Sequence, residues 1–180
     1  MYLQRVTKNQ WEKIREIYME AFPKQERKPF GILKRSVKRG KVELFAAWEG
    51  TDLLGFTAVI PFEDMVMVDY LAVSAKARGK GTGSQLMEEV CGHYTGKKVV
   101  LLLIERLDDQ AENAAQRQAR RRFYLKNGFA STDLFTSGAG GDMEVLSFGG
   151  QVHGSDYMRL QKYALGSILF RLSGMKLVKA

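Results

Sequence analysis

The sequence is poor in the residues that form cross-links and metal sites. It has one cysteine, Cys91, in 180 residues, which excludes an internal disulfide, and its two histidines are too few for a usual zinc site. We therefore expect no metal. Cys91 follows Met87 by four residues in an amphipathic segment, so we expect a packed thiol rather than a nucleophile.

Long apolar runs are also missing. The longest, Val99 to Ile104, has the length of a strand and is far too short to span a membrane. Residues 1–13 (MYLQRVTKNQWEK) contain no apolar stretch of the kind found in secretory signals. With 45% apolar residues, the chain is expected to form one globular domain over 1–180, in the cytoplasm and without a membrane partner.

Acidic residues are scarce in the first part of the chain. Residues 1–40 hold eleven Lys or Arg and four acids, whereas residues 41–75 hold one Lys and six acids. The net charge of +8 favours an anionic partner, such as nucleic acid or an acidic substrate. The basic run at 117–122 (RQARRR) fits a nucleic-acid-binding module, but no aromatic residues are interleaved with it, so we expect no nucleic-acid partner.

Hydrophobic periodicity predicts a regular succession of strands and helices. We predict strands near 2–6, 42–48, 53–60, 64–73, 98–105, 129–136 and 143–148, and helices near 11–22, 29–38, 84–94, 113–126 and 155–172. This order predicts an α/β (α+β) fold in which a mixed central sheet of about seven strands is flanked by helices.

A basic, glycine-rich turn between a strand and a helix is the most informative stretch of the chain. It runs from Arg78 to Ser84 (RGKGTGS). The N-terminus of the following helix presents backbone N–H groups and the positive end of its dipole, so the turn predicts a phosphate or pyrophosphate site. Lys80 lies between glycines, which does not fit a Walker loop, and the glycine spacing does not fit a dinucleotide fingerprint.

The pattern Arg78-x-x-Gly81-x-Gly83 resembles the pyrophosphate loop of the GNAT superfamily of acyl-CoA N-acyltransferases. The order of the elements resembles the family core over residues 1–149, which leaves an extra C-terminal helix at about 155–172. The resemblance implies a GNAT-like fold with acetyl-CoA as co-substrate. It implies that the cofactor-binding residues are Leu71, Ala72, Val73, Arg78, Gly79, Lys80, Gly81, Thr82, Gly83 and Ser84.

The stretch Phe123 to Phe129 (FYLKNGF) is similar to a second family motif. On that resemblance Tyr124 is the catalytic acid that protonates the departing CoA thiolate, a role that a phenol can fill at neutral pH. A packing tyrosine that anchors the next strand is the alternative. The chain departs from the family at Arg117, where many members have an asparagine that contacts the cofactor.

Four further residues are candidates for substrate contacts. The loop FPKQER resembles the family's acceptor loop and contributes Glu26 and Arg27. Asp69 and Glu105 lie beside the predicted pantetheine strand and at the end of the next strand, where either carboxylate could take a proton from the amine. Both could equally be paired carboxylates, so no general base is assigned.

The resemblance implies an N-acetyltransferase that moves an acetyl group from acetyl-CoA directly to a primary amine of a small molecule or peptide. No cysteine or serine is arranged as a nucleophile, so we expect a ternary complex. The alternative is an acyl-CoA sensor that binds the cofactor without transferring its acetyl group. The apolar stripe of the C-terminal helix should pack on the domain or on a second copy in a homodimer.

Overall fold

The described part of the chain, residues 1–24, 27–96 and 98–179 of a computed structural model, forms eight strands and six α-helices. In chain order these are β1 (Tyr2–Arg5), α1 (Trp11–Ala21), α2 (Phe30–Lys38), β2 (Glu43–Glu49), β3 (Asp52–Phe62), β4 (Met65–Val73), α3 (Thr82–Tyr94), β5 (Val99–Glu105), α4 (Ala114–Lys126), β6 (Ala130–Ser137), β7 (Met143–Phe148), α5 (Gly154–Leu165), α6 (Ser167–Ser173) and β8 (Lys176–Val178).

The chain divides into two compact units that share β4. The first unit contains Met1–Pro61 and Val68–His93. In it β1 pairs with β2 and β2 with β3, both antiparallel, and β3 neighbours β4. Helices α1 and α2 bury one apolar face each, as their periodicity predicts.

The second unit contains Phe62–Met67 and Tyr94–Ala180. The first residues of β4 pair with β5 in parallel, and β5 pairs with β7, β7 with β6 and β6 with β8 in antiparallel register. The strand order is therefore β1-β2-β3-β4-β5-β7-β6-β8. The predicted fold class, a mixed sheet flanked by helices, is confirmed, and β8 is a strand that the periodicity did not predict.

Aromatic rings form the core of the first unit beneath α1 and α2. The Tyr18 ring is fully buried and lies 5.0 to 6.3 Å, centroid to centroid, from four other rings, those of Phe22, Phe30, Phe56 and Tyr70. Rings in edge-on and tilted contact stabilise each other beyond the area that they bury. This cluster ties both helices to β3 and β4.

Helix α4 is held to its sheet by ion pairs rather than by an apolar face. None of its residues is buried. Arg121 makes a bidentate pair with Glu144 on β7, with N–O distances of 2.8 and 3.1 Å, and the Glu144 side chain is only 4% exposed. Arg121 belongs to the basic run that favoured nucleic-acid binding, so part of that charge is used within the fold.

The C-terminal segment forms two helices where one was predicted. Gly166 separates α5 from α6 with a φ of 78°, a conformation that glycine adopts without strain. Tyr157, Leu160 and Gln161 of α5 are buried, whereas Ile168 of α6 is 78% exposed. Within the chain, the apolar stripe of α5 is therefore buried and that of α6 is exposed.

None of the described helices is both long enough and apolar enough to cross a membrane.

Strands β3 and β4 approach each other closely at Gly55. A Cβ atom at this position would lie 2.3 Å from the Ala72 carbonyl oxygen and 3.2 Å from the Val73 Cα. Both of these atoms belong to the backbone, which cannot rotate away. Glycine at residue 55 therefore allows the position that β4 takes at Ala72.

We predict that Gly55→Ala lowers the free energy of unfolding by about 1–3 kcal/mol, because the methyl group forces the two strands apart. Gly92→Ala is the control, since nothing lies within 4 Å of its added Cβ on α3. In a helix that change raises stability by up to about 1 kcal/mol. Urea unfolding of both variants measures the difference, and equal midpoints would show that β4 can shift without cost.

We predict that Arg121→Met lowers the free energy of unfolding by about 3 kcal/mol, because it leaves the Glu144 carboxylate buried without its partner. Arg122→Met, at the exposed neighbouring position, should change stability little. Adding Glu144→Leu to Arg121→Met should recover most of the loss. If the double variant is no more stable than Arg121→Met, the buried charge is not the cause.

Candidate active site

Strand β4 leads through a short turn into α3, and two glycines shape that turn. Gly79 and Gly81 have φ values of 73° and 81°, in the left-handed region that favours glycine. At both positions the space that a Cβ would occupy is open to 4 Å. The backbone can therefore be approached closely by a ligand on this side.

The first turn of α3 supplies backbone donors at this place. The first helical hydrogen bond runs from the Gln85 N–H to the Gly81 carbonyl at 3.1 Å, so the N–H groups of Thr82, Gly83 and Ser84 precede it. The Thr82 hydroxyl is buried and donates to the Ala77 carbonyl at 3.1 Å. Thr82 therefore stabilises the turn with its side chain, while its N–H belongs to a helix end suited to an anionic phosphate.

Arg78 is bound to the end of β4 and to α1. Its Nε donates to the Val73 carbonyl at 3.1 Å, and its Nη2 pairs with Glu20 at 2.9 Å. The same Glu20 oxygen accepts the Ala75 N–H at 3.0 Å. Arg78 and Glu20 thus fix the path of the backbone from β4 into the turn. The Glu20 carboxylate also compensates part of the positive charge of this basic turn. Lys80 is exposed.

The predicted pantetheine strand has alternating exposure. Leu71 and Val73 are half-buried and Ala72 is buried, and Asp69 continues the half-buried set two residues earlier. Asp69 lies beside this stretch, as predicted.

Asp69 is paired with a residue that sequence reasoning missed, Lys28. The Lys28 Nζ donates to both Asp69 oxygens at 2.6 and 2.8 Å and lies 5.5 Å from the centre of the Tyr70 ring. The Lys28 N–H donates to the Tyr70 hydroxyl at 3.1 Å, and the Lys28 carbonyl accepts the Tyr18 hydroxyl at 3.0 Å. Lys28 is therefore fixed at both its backbone and its side chain.

The charges near Lys28 and the burial of the tyrosines perturb the titration of neighbouring groups. Burial raises the pKa of Tyr70 and of Tyr18, so both hydroxyls stay protonated at neutral pH. Burial and the Lys28 ammonium lower the pKa of Lys41, which follows α2. In the loop between α1 and α2, Arg27 contacts the Met19 sulfur. Glu26, the other candidate of this loop, lies outside the described residues.

In the second unit, Glu105 is bound by Asn113, which precedes α4, and by two arginines of α4. Asn113 donates to both of its oxygens at 3.1 and 3.2 Å. Arg117 lies 3.4 Å from one oxygen and Arg120 lies 3.0 Å from the other. Arg117 also donates to Asn113 at 2.7 Å, so it belongs to this network.

Tyr124 lies one helical turn after Arg120 on α4 and is half-buried. Its ring makes edge-on contacts with Phe123 at 5.1 Å and Phe129 at 5.8 Å. Burial raises the pKa of its hydroxyl, and the Arg120 charge opposes this in part. The phenol is therefore protonated at neutral pH and has a proton to give. Among the described residues of its own unit, none accepts a hydrogen bond from this hydroxyl.

Burial excludes the one cysteine as a nucleophile, in agreement with the sequence. Cys91 on α3 is buried, and burial raises the pKa of its thiol to about 12, so it is a packed thiol as predicted.

Several residues that contribute to these networks were missed from the sequence. They are Glu20, Lys28, Asn113, Arg120 and Glu144. Lys28 and Asp69 are 41 residues apart, and Arg78 and Glu20 are 58 apart, so no local pattern could have paired them. Near Lys28, the one sequence feature that indicated a site was the composition of the FPKQERK loop.

Comparison with known proteins identifies the family. The sequence model described as "Acetyltransferase (GNAT) domain" matches residues 40–131. No curated protein matches the sequence at a significant level.

Several solved structures share the fold. A GNAT-family acetyltransferase from Bacteroides thetaiotaomicron is 20% identical, with a TM-score of 0.76 over 94% of this chain and 99% of its own. The ribosomal-protein-S18-alanine N-acetyltransferase from Escherichia coli is 15% identical, with a TM-score of 0.65 over 86% and 97%. A GNAT-family acetyltransferase from Elizabethkingia anophelis, solved with acetyl-CoA bound, is 16% identical, with a TM-score of 0.60 over 82% and 96%.

The matched region contains the glycine turn, the strand before it and Tyr124, the residues on which the resemblance rested. The chain belongs to the GNAT family of acetyltransferases.

Proposed function

We propose that the protein transfers an acetyl group from acetyl-CoA directly to a primary amine of a small molecule or peptide. The glycine turn carries this proposal. Gly79 and Gly81 leave the backbone open where the first turn of α3 provides its donors, which is the chemistry that a pyrophosphate requires. The acetyl-CoA bound to the neighbour from Elizabethkingia anophelis supports the same cofactor.

Residues of the first unit would bind the cofactor. Backbone N–H groups at Thr82, Gly83 and Ser84 would receive the phosphates, with Lys80 adding charge from an exposed position. The half-buried edge of Leu71 and Val73 would pair with the pantetheine amides as a strand does. Arg78 would act by holding this strand end to Glu20.

The transfer itself is a single displacement. The amine, as its free base, attacks the thioester carbonyl carbon, so that a C–N bond forms and the C–S bond breaks. The Tyr124 hydroxyl gives its proton to the departing sulfur, and the proton lost by the amine goes to solvent. The phenolate then regains a proton from water.

Neither candidate carboxylate is assigned as a base. Asp69 accepts from Lys28 with both oxygens, and Glu105 accepts from Asn113, Arg117 and Arg120. Both carboxylates are therefore already engaged in contacts within the fold. Asp69 is proposed to hold Lys28 in place, and Glu105 to hold the start of α4.

We predict that acetyl-CoA raises the thermal midpoint of the protein and that Gly81→Asp abolishes this shift, because a side chain and a negative charge would enter the phosphate site. A ligand at a hundred times its Kd stabilises a protein by about 2.7 kcal/mol, which is easily measured by thermal unfolding.

Gly50→Asp is the control for Gly81→Asp. Gly50 also has a positive φ, 58°, with open space around it, but it lies in the β2–β3 turn. This variant should carry the same backbone strain and charge while keeping the shift. An undiminished shift in folded Gly81→Asp would remove the turn from the cofactor site.

We predict that Tyr124→Phe keeps the fold and the affinity for acetyl-CoA but lowers turnover by about 10²- to 10⁴-fold, the usual contribution of a general acid. The loss should appear in kcat and kcat/KM alike, because the proton is needed only as the sulfur departs. Because the pKa of Tyr124 is raised, wild-type activity that depends on this proton should decline only above pH 10.

Tyr2→Phe, at an exposed tyrosine of β1, is the matched control and should leave turnover unchanged. A fall of less than about threefold in Tyr124→Phe, with chemistry rate-limiting, would return Tyr124 to a packing role.

A further inference from the structure

Helix α4 carries Tyr124, and polar contacts hold its N-terminal part to the sheet. None of its residues is fully buried, so its position depends on the side chains that bond to it. A single carboxylate, that of Glu105 at the end of β5, takes part in four of these contacts. Glu105 therefore has a large share in deciding where α4 lies.

The contacts of Glu105 join the start of α4 to the end of β5. Asn113 donates to both carboxylate oxygens, at 3.1 and 3.2 Å, and Arg120 donates to one of them at 3.0 Å. The Arg117 guanidinium lies 3.4 Å from the other oxygen. It also donates to the Asn113 side chain at 2.7 Å and to the Arg106 carbonyl at 2.9 Å. The Glu105 side chain is 26% exposed, so water competes with these bonds only in part.

The residues that Glu105 binds lie in line with Tyr124 along one face of α4. Asn113, Arg117 and Arg120 follow each other at spacings of four and three residues, and Tyr124 comes four residues after Arg120. At about 3.6 residues per turn, such positions lie one above the other along a helix. Glu105 therefore holds the three positions that precede Tyr124 on its own face.

The Tyr124 hydroxyl has no hydrogen bond of its own to fix it. Among the described residues of the second unit none bonds to it, and its ring is placed by edge-on contacts with Phe123 and Phe129. The position of the hydroxyl therefore follows the position of α4. A proton donor tolerates little displacement, since an error of about 1 Å can cost about 100-fold in rate.

We propose that Glu105 is a positioning residue for acetyl transfer, and that it sets the place of the Tyr124 hydroxyl through Arg120. This inference rests on the proposed function, in which Tyr124 protonates the departing sulfur. Glu105 neutralises two guanidinium groups, those of Arg117 and Arg120, which would otherwise repel each other on one helix face. It takes no proton from the amine and has no part in the bond changes.

A double-mutant cycle between Glu105 and Tyr124 tests this role. CoA thiol release is followed for the wild type, Glu105→Gln, Tyr124→Phe and the double variant. Acetyl-CoA is saturating, and the acceptor is the member of a panel of primary amines and peptides that the wild type uses fastest. Glutamine has one acceptor oxygen and turns an NH₂ group toward the donors of Asn113 and Arg120, so Glu105→Gln displaces the start of α4.

We expect Glu105→Gln to lower kcat by about 10- to 100-fold while acetyl-CoA still raises the thermal midpoint. In the Tyr124→Phe background the same substitution should lower kcat by less than about threefold, because no hydroxyl remains to be positioned. An equal loss in both backgrounds would overturn the inference, since Glu105 would then act independently of Tyr124, as a general base does. The inference also fails if folded Glu105→Gln keeps the wild-type kcat.

Two further variants complete the test. Glu112→Gln removes an acid from an exposed position of the loop that leads into α4, and it should leave kcat unchanged. Arg120→Gln breaks the link from its other side and replaces Glu105→Gln in the cycle if that variant does not fold. It should lower kcat by itself and have little effect when combined with Tyr124→Phe.

The outcomes separate this inference from the proposed function. If no amine is acetylated, or if folded Tyr124→Phe keeps its turnover, the proposed transfer with Tyr124 as the acid fails and the inference fails with it. If Tyr124→Phe loses turnover and the two losses multiply in the double variant, the inference alone fails.

Discussion

The proposed cofactor site depends on a close contact between the backbones of β3 and β4, at Gly55 and Ala72. No side chain fits there, since a Cβ at residue 55 would lie 2.3 Å from the Ala72 oxygen. This contact sets the position of the last residues of β4, and everything proposed for the cofactor follows from those residues. The Val73 carbonyl accepts a hydrogen bond from Arg78, and the turn begins after Val73. Asp69, which lies two residues before Leu71, pairs with Lys28.

Ion pairs in both units fix backbone segments that an apolar face would fix elsewhere. In the first unit Arg78 and Glu20 secure the turn, and Lys28 and Asp69 secure the loop after α1. In the second unit Glu105 and Glu144 hold the arginines of α4, the helix that carries Tyr124. A buried ion pair contributes little net stability compared with apolar packing, but it tolerates few alternative geometries. For the helix that carries the proposed acid Tyr124, one fixed orientation would matter more than added stability.

Ion pairs of this type neutralise part of the basic charge of the chain within the fold. Arg117, Arg120 and Arg121 each pair with a carboxylate, so three of the four arginines in the run that favoured nucleic-acid binding are engaged within the fold. In the first unit Lys28 and Arg78 are likewise paired, with Asp69 and Glu20. The surplus of Lys and Arg in residues 1–40 is thus met in part by acids from residues 41–75, with Glu43 paired to Arg5 and Asp69 to Lys28.

The sequence by itself determined the family, the mixed sheet and the glycine turn, because each depends on short-range patterns. Periodicities of two and 3.6 residues identify strands and helices. The glycines at residues 79 and 81 indicate a left-handed backbone, because glycine adopts that conformation without strain. Only the tertiary structure decided which charges meet. Lys28 finds Asp69 across 41 residues, and Gly166 divides a helix that periodicity alone would continue. The eighth strand has only three residues and forms by pairing with the edge of β6. No local sequence pattern predicts that pairing.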